Sequence, residues 1–328
     1  MRSRCFRLVL ASLFLVAFPF RSPAPLIYRP GEGWTYEPVG GEGKWQRTRA
    51  KDQLDVAQAA FDKKSYGTAL KAARRVVRVW PLSDYAPQAQ YLVGRCYEAR
   101  GKDEQAFREY QKVLEKQPKI ANYEEILQRQ YQIANKYLGG KWFKLWGYVP
   151  VFPSMEKTSE MYDKVVKNGP FSDVAPQAQM KIGTAREKQK NYPLAAKAYE
   201  AAADRYHDRP QIAAEALYRE GLAFHKEAET AEYDQGTAGQ AIATFTDFMT
   251  LYPNDNRVPE AQKIIATLKT EQARGNFQIA KFYEKARKWN GALVYYNEVV
   301  LQDPNSPFAA EARQRIDTLK ARTQQAKK

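Results

Sequence analysis

The string Ala-Pro-Gln-Ala-Gln stands at residues 86–90 and again at 175–179. It sits inside a longer match, Pro81-Leu-Ser-Asp-Tyr-Ala86 with Pro170-Phe-Ser-Asp-Val-Ala175. Looser copies begin at Pro253 and at Pro304. An internal repeat constrains a fold more than any single motif, because a unit that cannot bury its apolar face alone must stack on its neighbours. Each copy reads as the end of one helix, a tight turn and the start of the next. Proline stops the first helix, and Ser83, Ser172, Asp255 and Ser306 are expected to cap the one that follows.

Between the turns, small and apolar residues recur at helical spacing. Gly94, Tyr97, Ala106, Tyr110, Val113 and Pro118 set the frame. Ala57, Ala60, Ala69, Ala73, Val76 and Pro81 fit it, as do Gly183, Ala195, Tyr199 and Ala202. So do Ala280, Tyr283, Ala292, Tyr296, Val299 and Pro304. Ala134, Tyr137, Tyr162, Val165 and Pro170 fit with about twelve residues inserted, and Gly221, Phe224, Ala241, Phe245, Phe248 and Pro253 with about eight. This is tetratricopeptide spacing, in which small residues let two antiparallel helices approach closely. The spacing predicts an all-α, right-handed solenoid of five to six antiparallel helix pairs over residues 50–322. A closing helix over 309–320 covers its end, and a polar tail fills 323–328.

The first residues read as targeting. Arg2, Arg4 and Arg7 precede an apolar run from Leu8 to Phe20. That run spans only about 20 Å as a helix, short of a ~30 Å hydrocarbon core, so residues 1–24 read as a secretory signal rather than a span. Residues 25–49 are rich in Gly and Pro and read as a tether, or as a strap whose Trp34, Tyr36 and Trp45 dock on the body or a partner. The chain holds two Cys, and Cys5 precedes the apolar run; removal of the signal leaves Cys96 and no intrachain disulfide.

Composition gives little material for chemistry. Two His and two Cys cannot furnish a Cys-rich zinc site, and there is no Gly-rich phosphate loop or nucleophile elbow. No catalytic residue, metal site or cofactor is expected. The net charge is +15, but residues 213–258 hold three basic and eight acidic residues. A basic chain broken by an acidic repeat fits two protein-docking surfaces better than one nucleic-acid stripe, and nucleic acid is not expected as a partner.

Two sets of residues are candidates for binding. Helical spacing turns Leu54, Gln58, Phe61, Tyr91, Arg95, Gln128, Tyr131 and Asn135 toward the groove side of the first three pairs. The aromatics supply area, the amides can pair with peptide backbone, and Arg95 can clamp a terminal carboxylate. The alternative is an ordinary solvated face. The insertion at 139–154 carries Trp142, Phe143, Trp146, Tyr148 and Phe152. Such a patch caps its own repeat, meets a partner, or contacts the outer-membrane surface, where Trp, Tyr and Lys are favoured.

An export signal, a short tether and repeats with Tyr-Pro-x-Ser-type turns together resemble the BamD (YfiO) family. The turns Pro81–Gln90, Pro170–Gln179, Tyr252–Gln262 and Pro304–Arg313 carry the resemblance. It implies a non-enzymatic scaffold of the outer-membrane β-barrel assembly machinery, on the periplasmic face of the outer membrane. It implies two partners: unfolded outer-membrane proteins on the N-terminal repeats and the central, BamA-like subunit on the C-terminal ones. By position, Tyr91, Arg95, Tyr131 and Asn135 fall in the substrate groove. The family is normally lipid-anchored, whereas Cys5 here lies ahead of the apolar run. A periplasmic coordinator of envelope division, similar to the CpoB (YbgF) group, or a secretion scaffold, is the alternative.

Overall fold

The computed structural model describes residues 26–36, 45–145, 149–230 and 235–325. Among them thirteen helices form. They are α1 (Ala50–Asp62), α2 (Tyr66–Val79), α3 (Ala86–Ala99), α4 (Asp103–Lys116), α5 (Tyr123–Leu138), α6 (Met155–Asn168), α7 (Ala175–Lys188), α8 (Tyr192–Arg205), α9 (Pro210–Thr230), α10 (Gln235–Leu251), α11 (Val258–Lys285), α12 (Trp289–Gln302) and α13 (Pro307–Gln325). The chain divides into two compact units, residues 1–126 and 127–328. In the first, α1 packs on α2, α2 on α3 and α3 on α4; in the second, each helix from α6 packs on the next through α13. Contacts also skip one helix, α1 to α3, α7 to α9 and α11 to α13, as stacked pairs require. The expected all-α array of helix pairs is the fold that forms.

The pairs are held by one recurring contact. A small residue on the first helix faces a large ring on the second at Gly94 and Tyr110, Gly183 and Tyr199, and Gly221 and Phe245; Ala134 and Tyr162, and Ala280 and Tyr296, are buried at the corresponding positions of their pairs. All five rings are fully buried. A methyl group built on Gly94 would lie 2.4 Å from the Tyr110 ring, and one on Gly221 2.8 Å from Phe245. The phenols are satisfied within the pair. Tyr110 donates to Glu98 Oε2 at 2.5 Å, Tyr296 to Glu284 Oε2 at 2.7 Å, and Tyr162 to Asn135 Oδ1 at 2.5 Å.

The last Gln of the Ala-Pro-Gln-Ala-Gln string has a structural job. Gln179 is buried and its Nε2 donates to the Ala198 carbonyl at 3.0 Å, tying α7 to α8. In the first pair Gln53 takes the same place and donates to Ala72 O. Its side chain also binds Trp45 O and the Arg47 amide, which fixes the chain entering α1.

Two of the three turn serines do not act as expected. Ser83, Ser172 and Ser306 donate backwards, to Trp80 O, Gly169 O and Asp303 O at 2.9, 2.7 and 2.9 Å. Only Ser306 also accepts from the following helix, from the Ala309 amide. The helices after Ser83 and Ser172 start from Tyr85 and Val174, which lie in the right-handed region with no side-chain cap. A proline in the first turn of each leaves one fewer orphan amide to satisfy, so the hydroxyl is freed to seal the helix before it. Asp255, the fourth expected cap, is turned to Arg257, accepting from its amide at 2.9 Å and from its guanidinium.

Each short turn within a pair closes on a left-handed residue two positions before the second helix: Lys64, Gly101, Lys190 and Arg287, with φ between 58 and 68°. The next amide then reaches back five residues, as Asn191 does to Arg186 O and Lys288 to Tyr283 O, both within 3.0 Å. This is the Schellman closure, and glycine is its natural occupant. Replacing Lys64, Lys190 and Arg287 together by glycine is expected to stabilise the chain by roughly 1–2 kcal/mol, since each relieves left-handed strain larger than the added unfolded-state entropy. Urea denaturation reads the gain; an unchanged midpoint would show that these turns carry no strain.

Two hairpins interrupt the helical order. β1 (Leu26–Arg29) pairs antiparallel with β2 (Gly33–Tyr36) inside the stretch expected as a tether. Its turn docks on the α2–α3 turn, the Asp84 amide donating to Gly31 O at 2.7 Å. β3 (Phe143–Leu145) pairs with β4 (Val149–Phe152) in the insertion between α5 and α6. The eight-residue insertion of the fifth pair lengthens its helices instead, with α9 reaching Thr230 and α10 starting at Gln235. The expected signal, residues 1–24, and the tail from residue 326 lie outside the described residues.

Candidate functional site

In the N-terminal unit, α1 and α3 bring Phe61, Tyr91 and Arg95 together. The Arg95 guanidinium lies 5.3 Å from the Phe61 ring centroid and 5.7 Å from that of Tyr91, and donates to Tyr91 Oη at 3.0 Å. Tyr91 is buried and its ring sits 5.8 Å from Tyr110, so it belongs as much to the core as to the face. Gln58 is exposed and donates to Asp62 on its own helix at 2.9 Å. The residue that sequence reasoning missed is Glu125, whose carboxylate lies 3.6 Å from Arg95 Nη1. The Arg95 cation thus lies near two rings and is faced by an exposed acid. No local signal marked Glu125, because the pairing joins two helices through the fold.

In the C-terminal unit, Gln128 is exposed, Tyr131 packs 5.8 Å from Tyr162, and Asn135 accepts the Tyr162 phenol. Asn135 therefore orients a core ring as well as standing near the surface. Of the insertion residues, Phe143 is buried and stacks on Tyr137 at 4.2 Å, with Lys157 Nζ 5.4 Å from its ring. Trp142 and Phe152 are exposed. Trp146 and Tyr148 lie outside the described residues. One aromatic anchors the hairpin to α5 while two face outward.

Side chains capable of chemistry are engaged elsewhere. Cys96 is fully buried, and burial pushes its thiol up to about 11, away from thiolate reactivity. His207 faces the Asp204 carbonyl at 2.8 Å and His225 lies 3.4 Å from Glu229. Among the described residues no group of His, Cys, Asp and Glu is arranged to hold a metal ion. Among them, also, no helix is long and apolar enough to cross a membrane.

The acidic fifth pair is braced by one cation. Arg257 reaches Asp255 at 2.7 Å and Glu215, and lies 4.8 Å from the Tyr218 ring and 5.4 Å from Phe248. Its guanidinium holds the Asp255 carboxyl down at about 2.

Comparison with known proteins divides along the chain. Residues 54–119 match a tetratricopeptide-repeat family, and residues 154–303 match the YfiO family, described as an outer membrane lipoprotein. No curated protein matches. Among solved structures, a tetratricopeptide-repeat protein of Bacteroides fragilis is 15% identical, with a TM-score of 0.38, over 84% of this chain and 99% of that one. The C-terminal part of a repeat protein of Cytophaga hutchinsonii is 15% identical, with a TM-score of 0.35, over 80% and 87%. A repeat protein of Parabacteroides merdae is 14% identical, with a TM-score of 0.34, over 82% and 98%. The resemblance read from the turns is thus found in the second half of the chain. The chain is an array of helix pairs in which residues 54–119 are similar to a tetratricopeptide-repeat family and residues 154–303 to the YfiO outer membrane lipoprotein family.

Proposed function

We propose that the chain is a non-enzymatic scaffold of the outer-membrane β-barrel assembly machinery, acting on the periplasmic face of the outer membrane. The observation that carries this reading is the YfiO match over residues 154–303. In it, unfolded outer-membrane proteins present a C-terminal carboxylate to Arg95, between Phe61 and Tyr91, and the central, BamA-like subunit docks on the C-terminal pairs. Gln58 belongs to the same substrate side, and in the C-terminal unit Gln128, Tyr131 and Asn135 are substrate contacts of their own. The outward Trp142 and Phe152 are a contact for a partner or for the outer-membrane surface. Arg95 suits its role because a planar guanidinium can give a carboxylate two parallel hydrogen bonds while stacked on rings.

Arg95→Gln is expected to weaken binding of a barrel-terminal peptide by roughly ten- to a hundredfold, the worth of a charge-assisted pair. Glu125→Gln should tighten it, because the competing carboxylate is gone. Fluorescence anisotropy with a peptide and its C-terminal amide reads both. Equal affinity for acid and amide would remove the clamp. Crosslinked envelopes purified on the chain test the wider role: recovery without barrel-assembly subunits would sink it.

A further inference from the structure

The side of α2 away from the core carries an unneutralised basic face. Lys71, Arg74, Arg75 and Arg78 recur at the spacing of one helical stripe and, with Trp45, line an open cleft of about 430 Å³. Four like charges within about 10 Å of helix repel one another. A fold usually answers such a stripe with acids, yet among the described residues none of the four forms an ion pair. Two of them rest on rings instead. The Arg74 guanidinium lies 5.3 Å from the Tyr97 ring and donates to its hydroxyl, and that of Arg75 lies 5.6 Å from the Trp80 ring. Arg75 Nε is buried and has no hydrogen-bond partner. These cations are pre-positioned, and the counter-charge is not supplied by the described part of the chain.

Apolar side chains stand at the end of the same helix. Leu82, in the turn after α2, is 93% exposed. Two residues on, Asp84 holds the β1–β2 hairpin by its turn. Tyr28 and Trp34 are cross-strand partners on one face of that hairpin, 5.4 Å apart, and are 58% and 68% exposed. Exposed Trp, Tyr and Leu suit the headgroup layer of a bilayer. Clustered Lys and Arg suit its phosphates.

We infer that the α2 face and the β1–β2 hairpin together form a docking surface for an anionic lipid bilayer, the cleft receiving phosphate headgroups and Leu82, Tyr28 and Trp34 entering the interface. This surface lies in the N-terminal unit and uses no residue of the 139–154 insertion. It does not depend on the assembly role proposed above, since purified protein and vesicles read it alone.

The test is co-sedimentation of the full chain with phosphatidylglycerol and with phosphatidylcholine vesicles. The apolar run at residues 8–20 partitions into both, so the ratio of the two affinities isolates the charged face. The triple variant Lys71→Gln, Arg74→Gln, Arg78→Gln leaves Arg75 on Trp80 and should lower that ratio about tenfold or more. A charge-matched control, Lys164→Gln, Lys197→Gln, Lys263→Gln, should lower it far less. Trp34→Ala should weaken binding to phosphatidylglycerol further. An unchanged ratio in the triple variant, or an equal fall in the control, overturns the inference. So does binding of a hexaglutamate peptide or of inorganic phosphate at this face by a chain that shows no preference for phosphatidylglycerol.

Discussion

Gly183→Ala is expected to destabilise the C-terminal unit by about 1–3 kcal/mol, the usual penalty for forcing extra atoms into a packed core. The added methyl would lie 2.4, 2.5 and 2.7 Å from Cε1, Cζ and Cδ1 of Tyr199. Three atoms of one ring edge block it at once, so no small rotation clears the contact. Tyr199 is fully buried, and its phenol, pushed up to about 12 by burial, faces Thr184 Oγ1 at 3.4 Å. Relief therefore requires α7 and α8 to separate. The same substitution at Gly239 of α10 should act in the opposite direction. Only Gln272 Nε2 comes near that position, at 4.0 Å, and alanine there should stabilise the helix by roughly 0.5–1 kcal/mol. Pairing Gly183→Ala with Tyr199→Leu should recover part of the loss, with a coupling of about 1 kcal/mol. Thermal melts of the four variants decide it. Destabilisation by both alanines alike would mean that the ring contact at Gly183 does not set the result.

What could be read in the chain follows from how far apart the interacting residues are. The pairing of a small residue with a ring repeats at one sequence interval, and the third and fifth pairs widen that interval by their insertions, so the frame was visible from Ala57 to Tyr296. The turns were visible for the same reason, since Pro81, Pro170 and Pro304 end helices wherever they stand. The direction of the serine hydroxyls was not. Ser83 has carbonyls behind it and amides ahead, and composition alone cannot say which it will choose. The role of Gln179 was hidden because its partner, Ala198 O, is a backbone atom on the next helix. The β1–β2 hairpin was masked by its glycines. Gly31 and Gly33 adopt φ of 77 and 75°, the left-handed turn that reverses the chain, yet in sequence they read as flexibility. Glu125 beside Arg95, and the uncompensated face of α2, both depend on what the fold brings near or fails to bring near.

Glu220→Gln is expected to remove a fall in stability between pH 5 and pH 8. Glu220 lies on α9 and is 8% exposed. Burial pushes its carboxyl up to about 8, helped by Glu200 and Asp204 on α8 and Asp247 on α10, all of the same sign. The folded chain thus holds a proton that the unfolded chain releases near the ordinary value of 4.5. Between those two values the native state binds more protons, so stability is fully present below about 4.5 and is lost as pH rises through 8. Each pH unit of that interval corresponds to about 1.4 kcal/mol at most. An ionised side chain can turn toward water, so the expected loss is about 2 kcal/mol in all. Asp255 works in the reverse sense, its depressed carboxyl losing support only as pH falls below the ordinary carboxylate range. In Glu220→Gln the amide is neutral at every pH, so the parent and the variant should melt together near pH 5 and diverge by pH 8, the variant higher. Asp247→Asn should produce a smaller shift of the same sign by removing one repulsive neighbour. Parallel melting curves for parent and Glu220→Gln across the range would show that the carboxylate ionises freely where it stands.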